Sequence, residues 1–89
     1  MIKKKIIIPN KLGLHARAAA KFVAVAAGFE SSVEIAKDAK IVNGKSIMSV
    51  LLLAASQGTE LALIINGQDE EEALAALENL INNRFDEPE

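Results

Sequence analysis

Eighty-nine residues suit one compact unit spanning 1–89, with a core over 2–85 and a polar tail over 86–89. A 51% apolar composition with three aromatics calls for a core of Ile, Leu, Val and Ala and offers no stacking platform for bases; ten basic against twelve acidic residues, net charge −2, lack the excess of a nucleic-acid binder. No cysteine and one histidine exclude disulfides and a zinc site, so neither metal nor other cofactor is expected.

Ile2 to Ile8 is rich in β-branched residues and ends at Pro9-Asn10, which predicts a first strand and stops the apolar run far short of a signal peptide. No run approaches membrane-spanning length, and a cytoplasmic protein without a membrane or nucleic-acid partner is the expectation. The period then changes. From Ala16 to Ala27 larger apolar residues sit among alanines, Arg17 and Lys21 lie four apart on one face, and Gly28 supplies a stop: a first helix. Ser32 to Lys37 alternates, and Asp38-Ala39 can turn it into a short strand around Ile41-Val42.

Asn43-Gly44 is a further turn, after which Ser46 caps a second helix expected to run through "IMSVLLLAA" toward a stop at Gly58. Glu60 to Ile65 reads as an apolar strand closed by Asn66-Gly67. Asp69-x-x-Glu72 resembles a capping box at the head of a third helix, whose stripe is Ala73, Leu77, Leu80 with Leu74 and Ile81. The order β-α-β-β-α-β-α predicts an α+β fold: a four-stranded, mostly antiparallel sheet with three helices on one face.

Chemistry concentrates at "GLHARAAAKF", residues 13 to 22. A helix that begins just after His15 leaves the first amides, those of Ala16 and Arg17 among them, without intrahelical partners, and its dipole points the same way. An anion is favoured there, and Arg17 can offer a planar fork to phosphate oxygens. A free imidazole, with a pKa of about 6.5, is mostly neutral at neutral pH, so a nucleophilic His15 demands no separate base. Spacing alone favours a bland reading, in which His15 is a polar cap or a surface residue and Arg17 and Lys21 a solvated face. Basic residues lie early and acidic ones late, so a basic end can meet an acidic partner.

The segment "NKLGLHARAAAKF" (10 to 22) closely resembles the active-site segment of the HPr family, the histidine phosphocarriers of bacterial phosphotransferase systems, whose usual form is G-[LI]-H-[AT]-R-P-A. "VNGKSIMSVLLLAASQGTEL" (42 to 61) resembles the family's central segment around its regulatory serine. The resemblance covers residues 2 to 85 and implies an HPr-like open-faced β-sandwich. It implies that His15 takes a phosphoryl group on Nδ1 from phosphorylated enzyme I and passes it to an enzyme IIA protein, with Arg17 stabilising the phosphoryl oxygens. Such a protein is a carrier with a covalent phosphohistidine, not an enzyme in the turnover sense, and is expected as a monomer.

For Ser46 the helix cap is sufficient reason, worth about 1 kcal/mol. The resemblance adds phosphorylation by an HPr kinase/phosphorylase, which would set negative charge beside a surface meant for acidic partners. Ile47, Met48, Leu51 and Leu52 exceed one buried stripe, so some face out; the resemblance favours Ile47, Met48 and Leu51, with Ala20, Lys21 and Lys45, as a partner-docking patch. Two departures stand out. Ala18 replaces the usual proline, whose missing N–H a first turn does not use. Ala24 and Ala27 replace lysines common in sugar-branch carriers, which changes the electrostatics of docking; the acidic ending "NNRFDEPE" and the GLHARAAAKF variant resemble the nitrogen-related NPr branch, whereas "NGKSIMSV" resembles the sugar branch. An alternative function is a regulatory interaction module whose phosphorylation state controls a transcription factor or a kinase; a third, a small binding module without phosphochemistry, leaves both motifs unexplained.

Overall fold

The computed structural model describes residues 1–89. Strands β1 (Ile2–Ile7), β2 (Ser32–Lys37), β3 (Lys40–Asn43) and β4 (Glu60–Asn66) form one antiparallel sheet in the order β1-β4-β2-β3. Helices α1 (Ala16–Ala27), α2 (Ile47–Leu51) and α3 (Glu70–Asn82) follow the predicted element order. A 3₁₀ turn at Arg84–Asp86 comes after them.

The most apolar strand takes a central place. In β4, Leu61, Leu63 and Ile65 alternate toward the helices and are buried, pairing with Ile6, Lys4 and Ile2 of β1 on one side and, for Leu63 and Ile65, with Ile35 and Val33 of β2 on the other. The period of two leaves Lys3, Lys5, Glu34 and Ile64 on the opposite face, which no helix covers. From α1 the core receives Ala18, Ala19, Phe22 and Ala26, and from α3 Ala73, Leu77 and Ile81; α1 packs against its neighbours α2 and α3. Leu74 and Leu80 of the expected stripe are half-buried at its margin.

Two expectations fail for local reasons. The second helix ends at Leu51 rather than near Gly58, because the chain tightens into shorter turns (Leu53 N–H to Val50 C=O, 3.2 Å; Ala54 N–H to Leu51 C=O, 3.0 Å) and Ala54 takes a left-handed φ of 50°. Lysines of the β2–β3 hairpin capture the freed carbonyls: Lys37 Nζ donates to Leu53 O (2.9 Å) and Lys40 Nζ to Leu52 O (3.1 Å). Asp69 does stand at the head of α3 but makes no cap hydrogen bond to it. Its carboxylate accepts from the backbone N–H groups of Glu30 and Ser31 (2.9 Å each) and from the Ser31 hydroxyl. The reciprocal half of the motif falls to Glu70, whose Oε1 accepts from the Gly67 N–H at 3.1 Å.

Candidate functional site

The approach to α1 is fixed before the helix begins. Gly13 has φ +68°, and a side chain there would meet the Ala55 carbonyl and, at 2.8 Å, Ser56 Cα; only glycine allows so close a backbone approach. The next residue secures the contact, since Leu14 is buried and its N–H donates to Ala55 O at 2.8 Å. Asn10 is fully buried and donates from Nδ2 to Gly13 O at 2.8 Å.

His15 then occupies the N-cap of α1 with extended backbone (φ −75°, ψ 179°) and accepts the Arg17 N–H on Nδ1 at 3.3 Å. A ring nitrogen that accepts must carry a lone pair, so the proton sits on Nε2. The Nδ1 lone pair faces the open amides and the positive dipole end of a twelve-residue helix. Ala16 and Arg17 are exposed in that first turn, and the Arg17 side chain lines a surface cavity of ≈ 270 Å³ with Lys11, Leu12, Glu87, Pro88 and Glu89.

The chain's end, read from sequence as a polar tail, makes ordered contacts at this site. Arg84, Phe85 and Asp86 have φ of 56°, 54° and 64°, a left-handed turn that folds the end back; Phe85 is wholly buried. Lys21 Nζ donates to Phe85 O (2.9 Å) and lies 3.7 Å from Asp86, Arg84 donates to Pro88 O (3.2 Å), and the Lys11 N–H donates to Glu89 O (2.7 Å). Held so, Glu87 meets two groups: Oε1 accepts from Asn10 Nδ2 at 2.9 Å, and Oε2 contacts His15 Nε2. The Asn10 hydrogen bond holds the Glu87 carboxyl below the usual carboxylate range, against the opposing effect of burial and with help from His15 and Arg17.

Neither Asn10 nor Glu87 was singled out as a site residue from sequence. Glu87 lies 72 positions from His15, and no periodicity links them. The one available signal was Phe85, an isolated aromatic near the end that can anchor a returning chain.

Ser46 is the N-cap of α2, and its Oγ accepts the Ser49 N–H at 3.3 Å. Nearby, Lys45 Nζ donates to Phe29 O at 2.7 Å. Of the expected docking residues, Ile47 and Met48 are exposed at 42% and 69%, and Ala20, Lys21 and Lys45 are half-buried. Leu51 is not an exposed member: it is half-buried and packs against the core, whereas Leu52 is 63% exposed. The reason is angular, because Leu52 follows Met48 by four residues and so shares its outward direction, while Leu51 follows the less exposed Ile47 by four and lies at the margin of that face.

The family model described as "PTS HPr component phosphorylation site" matches residues 2–83. The phosphocarrier protein HPr of Pseudomonas aeruginosa is 57% identical over 96% of each chain, and that of Neisseria meningitidis serogroup A is 52% identical over the full length of both. Among solved structures, HPr-C-His from Thermoanaerobacter tengcongensis superposes with a TM-score of 0.96 at 48% identity, covering both chains completely. A full-length match in sequence and in fold, on a site that seats an imidazole at a helix N-terminus, places this chain in the HPr family of phosphocarriers of the phosphotransferase system.

Proposed function

We propose that His15 Nδ1 accepts a phosphoryl group from the phosphohistidine of enzyme I and donates it to an enzyme IIA protein in the cytoplasm. The observation that carries this reading is the seat of the ring: Nδ1 holds its lone pair toward the first amides of α1, at the Arg17 N–H. In the transfer the Nδ1 lone pair forms a bond to phosphorus as the bond from phosphorus to the donor nitrogen breaks. Three equatorial oxygens then carry the charge beside the helix end, within the reach of the exposed Arg17. A carrier must release what it accepts, so contacts that favour the group in flight serve it better than tight holding of the product. Ile47 and Met48, with Ala20, Lys21 and Lys45 around them, form the surface that meets these partners, and Leu52 extends it.

Ser46 is the regulatory position in this reading. A phosphate there keeps an anion at the head of α2 and sets negative charge on the docking face, so it lowers partner affinity without unfolding the helix. The test supplies phosphoenolpyruvate and enzyme I, from the sugar and the nitrogen branch in turn, and measures acid-labile, base-stable phosphate on the chain. Label on the wild type and none on His15→Ala is expected. No label with either enzyme I, or equal label on His15→Ala, overturns the reading.

A further inference from the structure

The end of the chain is built at a cost. Three consecutive residues without a glycine, Arg84, Phe85 and Asp86, adopt positive φ, a conformation that L side chains disfavour. What compensates is specific: buried Phe85, its carbonyl held by Lys21, and the bonds that fix Pro88 and Glu89. The result is that the Glu87 side chain, 9% exposed, is delivered into the first site loop.

Asn10 prepares its place. Fully buried, it uses one amide to bond Gly13 O, and so the loop that carries His15, and to bond Glu87 Oε1. The other carboxylate oxygen meets His15 Nε2. The imidazole is therefore held at both nitrogens, by a backbone N–H on Nδ1 and a carboxylate on Nε2. These two contacts define one tautomer and one ring plane. Either alone would leave the ring freer to turn about its Cβ–Cγ bond.

We propose that Glu87 is a positioning residue for phosphotransfer, which fixes the His15 ring with its proton on Nε2 and its Nδ1 lone pair presented to the incoming phosphorus. The proposal rests on His15 being the phosphoryl acceptor. When the Nδ1–phosphorus bond forms and the donor's phosphorus–nitrogen bond breaks, the donor nitrogen leaves with the electron pair. The Nε2 proton stays in its hydrogen bond, and positive charge that grows on the accepting ring faces the Glu87 carboxylate. No proton need be taken up or lost, and reversal follows the same path. The carboxylate thus stabilises the ring more in the transition state than before attack, which raises rate rather than affinity.

The test compares wild type, Glu87→Gln and Glu87→Ala in phosphoryl acquisition from phosphorylated enzyme I by rapid quench, alongside nitrogen–proton spectra of the His15 ring. Glutamine can keep a neutral acceptor on Nε2 but lacks the charge; alanine removes both. The expected result is a roughly tenfold fall in the transfer rate at saturating donor for Glu87→Ala, the size of a lost charge-assisted hydrogen bond, and a smaller fall for Glu87→Gln. The Nε2 proton resonance is expected in wild type and Glu87→Gln and to be lost to exchange in Glu87→Ala. Wild-type or faster transfer by Glu87→Ala overturns the proposal, the faster result making the tail a brake. An unchanged Nε2 resonance in Glu87→Ala overturns it too. Should Glu87→Ala fail to fold, a Glu87→Gln variant with the wild-type transfer rate overturns the role of charge. Failure of the acceptor assignment looks different: label would be absent from wild type, or would persist in His15→Ala.

Discussion

The Asp69 carboxylate, at the head of α3, binds Ser31, the residue before β2, through both its backbone N–H and its hydroxyl, and reaches Glu30 N–H as well. One side chain thereby ties the α1–β2 connection to the β4–α3 connection. A residue in position to cap its own helix joins two loops far apart in sequence.

That clamp has a pH signature. The Ser31 hydroxyl, the largest influence, and the Glu30 and Ser31 amides hold the Asp69 carboxyl below its ordinary value when folded, with burial opposing them. In the window between the lowered folded value and the ordinary unfolded one, the unfolded chain binds the extra proton. The stabilisation is thus complete above the unfolded value and is lost as pH falls through the folded value. Asp69→Asn is expected to melt roughly 5 °C lower at neutral pH and to show a flatter acid limb in a melting series from neutral to pH 2. Identical acid limbs would count against the clamp.

Gly13→Ala tests the entry to the site. With φ at +68° and Ser56 Cα 2.8 Å from the added carbon, the substitution must strain the backbone or displace the Ala55 loop. The expected loss is about 2 kcal/mol or more in denaturant unfolding. Since Asn10 and Leu14 are set by the same loop, transfer activity should fall beyond what the unfolded fraction explains.

Arg17→Ala should separate function from folding. The side chain is exposed and no protein group accepts from its guanidinium, so Tm is expected within about 2 °C of wild type. Loss of an arginine that stabilises transferring phosphoryl oxygens should slow transfer at least tenfold. Equal proportional losses of stability and activity would assign Arg17 to the fold instead.

Ser46 separates its two roles by substitution. Ser46→Ala removes the bond to the Ser49 N–H and should cost about 1 kcal/mol. Ser46→Asp keeps a cap and adds charge, so it should retain the circular dichroism spectrum and weaken enzyme I binding by calorimetry. Unchanged affinity in Ser46→Asp would remove the electrostatic account of regulation.

Much of this was legible in the sequence because local patterns and tertiary packing agree. The alanine-rich run of α1 ends at Gly28 as its composition predicts, and alternating Val33 and Ile35 point into the core. Where they disagree, the fold decided. Nothing within "IMSVLLLAA" announces that Lys37 and Lys40 take the carbonyls of Leu53 and Leu52, and a shortened α2 turned Leu52 outward and Leu51 in. At the site, His15 and Arg17 sit in one contiguous segment and could be found by motif. Asn10 and Glu87 are joined only through the closed fold, and the left-handed turn that joins them uses Arg84, Phe85 and Asp86, where no glycine marks it.

Lys21, Lys37, Lys40 and Lys45 each give their ammonium to a main-chain carbonyl, at Phe85, Leu53, Leu52 and Phe29. To an amine-acylating reagent these four nitrogens and that of exposed Lys3 are different targets, because an ammonium must leave its carbonyl before it can react. Acylation at Lys37 and Lys40 would also strip two donors from the end of α2 and loosen the face that carries Met48 and Leu52. The lysine pattern thus makes the chain's reactivity a record of its folding, with the slow sites marking the loops that the ammonium groups pin.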